Sequence, residues 1–330
     1  MIIQLRKNIS DSQIEAMAAA YEGVVVNYES NVLVVTPSAI KNIDSKFDDI
    51  IEKNWVLDSD IQLSSRKFKN ETRKISIGRF TSGSAQTLLT IGPCGVEGEE
   101  MMEQTAKLIV EHGLSSIRAG AFKPRTSPYS FQGMGEDGLK LLAKMREKYG
   151  LSVVTEVRDS THVQLVLDYA DVIQIGAKAM YDHGILRACG RSQKPILIKR
   201  GFGTTLQEFV QAAEFVLSGG NPNVILCERG IRTFETKSRF TLDLCGVAYL
   251  KENTNLPVIL DPSHAMGYAY GVPDLARACM AMGVDGLLIE VHPNPAVAKS
   301  DASQQLNHDT FRKLFETLKP IAAAVGRTIV

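Results

Sequence analysis

From residue 86 onward, eight short apolar segments alternate with stretches of helical spacing, and this alternation restricts the fold more than any other feature. The segments are Thr87–Gly92, Ser115–Gly120, Ser152–Val157, Val172–Gly176, Pro195–Arg200, Val224–Arg229, Pro257–Asp261 and Gly286–Val291. Between and after them, helices are predicted at 99–112, 136–148, 160–168, 185–189, 205–218, 235–251, 273–282 and 309–325. Eight strands alternating with helices predict a (β/α)8 barrel, whose chemistry sits at the C-terminal ends of its strands. Those ends carry Cys94; Arg118 with Lys123 and Arg125; Glu156; Lys178; Lys199 with Arg200; Arg229; Asp261 with His264; and Glu290 with His292.

The residues before this pattern read as a smaller α+β unit. Ile2–Leu5 forms a strand, and Ser10 caps a helix through Ile14, Met17 and Tyr21. Gly23–Tyr28 and Asn31–Thr36 make a hairpin, Ile40–Ile51 has helical spacing, and Trp55–Leu57 reads as a last strand. The order βαββαβ is the ferredoxin-like plan. Residues 59–85 are a polar linker with a strand-like stretch, Lys74–Phe80, and read as linker plus a hairpin closing the bottom of the barrel. The division is therefore 1–70, a ferredoxin-like domain with linker, and 71–330, the barrel.

Charge and cysteine usage exclude several classes. Lys plus Arg equals Asp plus Glu, 37 each, so the net charge is zero and no basic bias points to nucleic acid or a membrane surface. The first residues, MIIQLRKNISDSQ, have no apolar signal core, and no apolar run is long enough to cross a bilayer. Five cysteines without a CxxC pattern fit a reducing cytoplasm better than a disulfide framework.

Two constellations carry the chemistry. Arg118, Lys123, Arg125, Lys199 and Arg229 gather fixed positive charge at strand ends, which suits a phosphorylated, carboxylated ligand. Cys94, His264, Glu290 and Asp301 offer a thiolate, an imidazole and two carboxylates. That set suits one divalent transition ion (Mn, Fe, Co or Zn) better than Mg or Ca. Taken singly, each has an ordinary explanation, and His292 competes as a ligand or as a partner for Glu290. His112, His162, His183 and His308 lie on expected helices or loops.

Several strings then carry a specific resemblance: RAGAFKPRTSPYSFQGMGEDG (118–138), DVIQIGA (171–177), KPILIKRGF (194–202), CERGIRTFE (227–235), LPVILDPSHAMG (256–267), EVHPNP (290–295), Gly92-Pro93-Cys94 and Ser300-Asp301. Residues 75–330 resemble the 3-deoxy-D-arabino-heptulosonate 7-phosphate (DAHP) synthases of type Iβ, some of which carry an N-terminal ferredoxin-like domain. The resemblance implies a metal-dependent condensation of phosphoenolpyruvate with erythrose 4-phosphate, releasing phosphate, at the start of the shikimate pathway. It implies Cys94, His264, Glu290 and Asp301 as metal ligands. It places Arg118, Lys123, Lys199 and Arg229 on phosphoenolpyruvate, with Lys178 by its phosphate and Arg200 in the same binding group. Arg125 and Thr126 would hold the aldehyde's phosphate, and Asp261 the sugar hydroxyls. Lys123, Glu156, His264 and Asp261 form the catalytic group. Lys123 is expected to donate a proton from a pKa lowered by crowded cations, and Glu156 to orient it or a water. A homotetramer and an aromatic amino acid effector on residues 1–58 are further implications.

The chain also departs from the family pattern. Gly95 follows Cys94 where Ser is usual, Lys178-Ala179 replaces Arg-Asn, and the run after His264 has aromatics in place of arginines. These changes bear on the pocket rim and the choice of aldehyde. One rival is a paralogue using a modified tetrose. Another is the octulosonate-type enzyme using arabinose 5-phosphate, which typically has KANRTS where this chain has KPRTSP (123–128). From another class, the rival is a non-catalytic regulatory subunit.

Overall fold

The computed structural model describes residues 1–123, 127 and 129–330. It begins with β1 (Ile2–Leu5), α1 (Asp11–Ala20), β2 (Val24–Tyr28), β3 (Asn31–Val35) and β4 (Ile51–Trp55). The strands pair antiparallel in the order β2-β3-β1-β4, the ferredoxin-like order. A reciprocal capping box between Ser10 and Gln13 starts α1. Strand alternation divides the sheet's side chains. Ile3, Leu5 and Val34 pack with Met17, Phe47 and Ile50, while Ile2, Val26 and Leu33 join Leu57, Leu63 and the main core on the other side.

The second helix of this unit is shorter than its spacing predicts. Only Ser45–Ile50 forms a 3-10 turn, capped by Asp44, and the strand lies at Ile51–Trp55 rather than Trp55–Leu57. Pairing with β1 (Ile2 opposite Trp55, Gln4 opposite Lys53) recruits those residues into the sheet and leaves too few for a helix.

The expected hairpin follows, β5 (Ser76–Ile77) and β6 (Phe80–Thr81), with the strand-like stretch Lys74–Phe80 divided between its two strands. The barrel strands are β7 (Gln86–Gly92), β8 (Ser116–Arg118), β9 (Ser152–Val157), β10 (Val172–Ile175), β11 (Ile196–Lys199), β12 (Val224–Glu228), β13 (Val258–Leu260) and β14 (Gly286–Glu290). Each pairs in parallel with the next, and β14 closes on β7 with Glu290 opposite Gly92. Around them run α2 (Glu99–Glu111), α3 (Glu136–Tyr149), α4 (Val163–Tyr169), α5 (His183–Gly190), α6 (Leu206–Ser218), α7 (Leu244–Asn253), α8 (Pro262–Met266), α9 (Val272–Ala281) and α10 (His308–Ala324). A short β15 (Thr328–Ile329) adds to the start of β7.

Two helices differ from expectation. The one predicted at 235–251 begins at Leu244, because the Asp243 side chain accepts from Gly246 N and caps it there. Residues 231–243 instead form a loop pinned by an Ile231–Thr241 bridge. The short α8 was not expected; Pro262 opens it and Gly267, at φ 76°, ends it.

Inside the barrel, the inward residues of the lower strands form an apolar layer: Leu88, Val154, Val172, Leu197, Ile225, Cys227, Ile259 and Leu288. Ile75, Ile77 and Phe80 of the hairpin region seal this layer from below. The small sheet is bolted on through the linker. Glu214 of α6 accepts from the backbone N–H groups of Gln62, Leu63 and Ser64 and from the Ser64 hydroxyl. Arg73 donates to Asn255 Oδ1 and Leu63 O. Because Phe80 is fully buried in the plug, Phe80→Ala is expected to cost about 3–5 kcal/mol in urea unfolding. A cost below about 1 kcal/mol would show that the hairpin does not seal the barrel.

Candidate active site and metal centre

Strand alternation builds the site from the apolar layer. Two residues beyond Val154, Val172, Leu197, Cys227, Ile259 and Leu288 come Glu156, Gln174, Lys199, Arg229, Asp261 and Glu290, all turned the same way. The outward neighbours meet different partners. Arg200 lies behind the wall, donating to Glu228 (2.9 Å) and Asp243 (2.8 Å) and to Thr204 O. Its parity, one residue past Lys199, takes it out of the cavity and makes it a tie between β11, β12 and the start of α7.

Above the layer is a cavity of about 130 Å³. Lys123, Lys178, Lys199, Arg229 and Arg239 line it with Glu156, Gln174, His264 and Asp301. Phe202 and Phe240 form apolar walls, and the Arg229 guanidinium stacks 4.4 Å over the Phe240 ring. Arg229 Nη1 is buried without a hydrogen-bond partner among the described residues, as a donor waiting for an anion would be. Gly176 leaves room for Glu156: a Cβ there would sit 2.0 Å from Glu156 Oε1. Gln174 donates to Glu156 Oε2 at 3.2 Å.

One edge of the cavity holds the mixed donor set. Ligand atoms of Cys94, Glu290 and Asp301 lie within 4.8 Å of one another. His264 Nε2 is 3.6 Å from Glu290 Oε1 and 3.9 Å from Asp301 Oδ2. His264 Nδ1 faces Asp261 Oδ2 at 2.8 Å, and Lys199 Nζ meets the same oxygen at 2.5 Å. This carboxylate fixes the imidazole with Nε2 toward the cluster, a common outer support for a ligating His. Burial lowers the His264 pKa more than Asp261 raises it, which favours the neutral form that ligates. Burial alone would raise Asp261, but His264 and Lys199 outweigh it and hold the carboxyl well below its usual range.

The donors fit a cation. Glu290 Oε1 is buried and accepts no well-formed hydrogen bond from the described residues, although Arg118 Nη1 lies 3.0 Å away. Burial opposes ionisation of Asp301, yet His264, Arg239 and Lys123 bring its pKa down to about 2. Its backbone is left-handed at φ 46°, which costs roughly 1 kcal/mol for a non-glycine residue. Burial, with Glu290 and Asp301 nearby, pushes the Cys94 thiol up to about 12. Cys94 thus holds its proton until a cation displaces it.

Several expected site residues take positions of their own. Arg118 is buried, donating to Pro93 O and facing Glu290. Lys123 Nζ donates to Cys94 O (2.9 Å) and lies 3.0 Å from Cys94 Sγ. Its pKa is raised, not lowered: burial works to lower it, but Cys94, Glu156 and Glu290 outweigh burial and Arg118. The expectation failed because Lys123's nearest neighbours are anionic or thiol groups rather than cations. His292 stands apart from the donor set; its Nδ1 accepts from Asn294 N and its Nε2 is 3.9 Å from Glu97. Arg125 and Thr126 lie outside the described residues. Gln174, Arg239, Phe202 and Phe240 were not foreseen. Strand parity from Val172 could have found Gln174, whereas Arg239 and Phe240 were hidden in a stretch read as helix.

Fold and site together define a (β/α)8 enzyme with a cationic cavity beside a mixed-donor centre. The sequence profile of the DAHP synthetase I family matches residues 61–325. Phospho-2-dehydro-3-deoxyheptonate aldolase of Thermotoga maritima is 44% identical over 265 residues, 80% of this chain and 78% of its own. The crystal structure of the DAHP synthase of that organism matches with a TM-score of 0.82 at 37% identity, covering 100% of this chain and 99% of the other. A 2-dehydro-3-deoxyphosphooctonate aldolase of Bordetella petrii is 33% identical over 70% of this chain and 88% of its own. The chain belongs to the DAHP synthetase I family.

Because Cys94 must lose a proton to ligate, Co²⁺ or Mn²⁺ affinity should rise about tenfold per pH unit from one linked proton between pH 6 and 8. In Cys94→Ala the affinity should drop and this slope should flatten. An equal slope in the variant would remove Cys94 from the ligand set.

Proposed function

We propose that this chain condenses phosphoenolpyruvate with erythrose 4-phosphate to give DAHP and phosphate, the first step of the shikimate pathway. The observation that carries the reading is one cavity with five cationic side chains on its wall and the Cys94, His264, Glu290 and Asp301 donors at its edge. When bound to these four residues, a divalent ion (Mn, Fe, Co or Zn) supplies Lewis acidity toward the aldehyde oxygen.

The chain's own residues do the rest. Lys199, Arg229 and Lys178 bind the phosphate and carboxylate of phosphoenolpyruvate and hold its C3 toward the aldehyde carbon. Attack forms the C–C bond and leaves positive charge at C2, which a water captures before phosphate departs. Lys123, kept protonated, sits 3.0 Å from Cys94 Sγ and holds a proton where the aldehyde oxygen gains charge. Glu156, steadied by Gln174, orients the water. Asp261 holds both His264 and Lys199. Arg118 neutralises Glu290, and Arg125 with Thr126 grips the aldehyde's phosphate.

Residues 1–70 act as a regulatory domain with linker and 71–330 as the catalytic barrel. The effector is an aromatic amino acid, and the working form is a homotetramer in the cytoplasm. Five unpaired cysteines fit that compartment, and no helix of the described residues is long and apolar enough to cross a membrane.

Phosphate release from phosphoenolpyruvate with Mn²⁺ tests the reaction. EDTA-sensitive turnover is expected with erythrose 4-phosphate and not with arabinose 5-phosphate or without aldehyde. Turnover with the pentose alone would move the chain to the octulosonate reaction, and turnover with neither would point to another aldehyde or a silent subunit. Lys199→Met should lower kcat/KM about a hundredfold or more. Tyrosine or phenylalanine should slow the intact enzyme; indifference to every aromatic amino acid would reject the regulatory reading.

A further inference from the structure

We propose that Gln304 is a positioning residue that fixes Glu290 as a one-oxygen ligand and couples it to the substrate cavity through Arg239. The inference rests on the metal reading above.

The segment after Asp301 returns along the barrel. Leu306 bridges Val291 in parallel, and its N–H donates to Glu290 O at 2.9 Å. This brings two adjacent, fully buried glutamines under the donor set. Gln305 accepts from Cys94 N (2.9 Å) and donates to Ser300 O (2.8 Å), so it holds the backbone beside two ligands. Gln304 points elsewhere. Its Nε2 donates to Glu290 Oε2 at 2.6 Å, and its Oε1 accepts from Arg239 Nη1 at 2.7 Å.

Those partners allow the Gln304 amide one orientation. A carboxylate only accepts and a guanidinium only donates, so a flipped amide would lose both bonds. Glu290 Oε2 is thereby occupied, and the oxygen left for a cation is Oε1, the buried atom without a well-formed hydrogen bond among the described residues. At the far end, Arg239 lines the cavity and lies 3.9 Å from Asp301 Oδ1. A substrate anion drawing on Arg239 therefore pulls on the same amide that sets Glu290. Outer partners of metal ligands commonly change affinity by about 10–100-fold when lost.

The test titrates the full chain, freed of metal with a chelator, with Co²⁺, reading affinity and the thiolate-to-cobalt and d–d absorption bands. Gln304→Met keeps the volume and removes both hydrogen bonds. It is expected to weaken Co²⁺ binding about tenfold or more and to shift the bands. Arg239→Met, at a partly exposed position, is expected to shift the bands in the same direction with a smaller loss of affinity. The double variant should match Gln304→Met, because both substitutions break one chain. If Gln304→Met does not fold, the Arg239→Met spectrum decides. Unchanged affinity and bands in Gln304→Met, or an unchanged spectrum in Arg239→Met, would overturn the proposal. So would additive effects of the two substitutions. Wild-type protein that binds no Co²⁺ would overturn the metal reading and this inference together, whereas wild-type binding with indifferent variants overturns this inference alone.

Discussion

A barrel strand turns every second side chain inward, and the rest of this molecule depends on how those inward positions are spent. The lower ones are apolar and meet the hairpin plug. The next ones up, two residues later, are Glu156, Gln174, Lys199, Arg229, Asp261 and Glu290. A single step of two residues therefore separates a sealed core from a polar cavity. Shifting β14 by one residue, for example, would send the Glu290 charge into the helix layer and an aliphatic side chain, Ile289 or Val291, into the site.

The inward charges carry a large desolvation cost, and they survive by being paired. Asp261 satisfies Lys199 and His264 at once. Arg118 lies against Glu290, and the outward Arg200 is tied to Glu228 and Asp243. Removing one member of such a group would strand its partner, which is costlier than never having built the pair. Two site atoms unpartnered among the described residues, Arg229 Nη1 and Glu290 Oε1, are where a bound anion and a bound cation would complete the count. Stability and function thus draw on the same residues at the barrel mouth.

The eight barrel strands were legible in the sequence to within a residue or two at most ends, because a strand buried on both faces is a continuous apolar run. Cys94, His264, Glu290 and most of the cations were legible at or just after strand ends, whereas Asp301 lies further along the loop after β14. The sign of the Lys123 shift differs from the expectation, since spacing shows that cations are numerous but not that Cys94 contacts this lysine and that Glu156 and Glu290 act on it. Arg200 was grouped with Lys199 because adjacency in sequence hides the opposite facing of neighbours. Residues 235–243 have the spacing of a helix but lie in a loop; the spacing does not reveal that Asp243 caps the helix at Leu244.

The sequence by itself determined the element order, the parity that separates core from site, and the kinds of group available for chemistry. These are local properties, set by side-chain period and residue type. Tertiary structure alone decided which groups meet. Cys94 and Asp301 are 207 residues apart and 3.3 Å in space, and Gln304 reaches Glu290 and Arg239 only because the chain returns beside β14. Protonation follows from those meetings: burial holds the proton on the Cys94 thiol, and anionic neighbours hold one on Lys123. No local pattern encodes these contacts, because their energies depend on distance and solvent exclusion across the closed barrel.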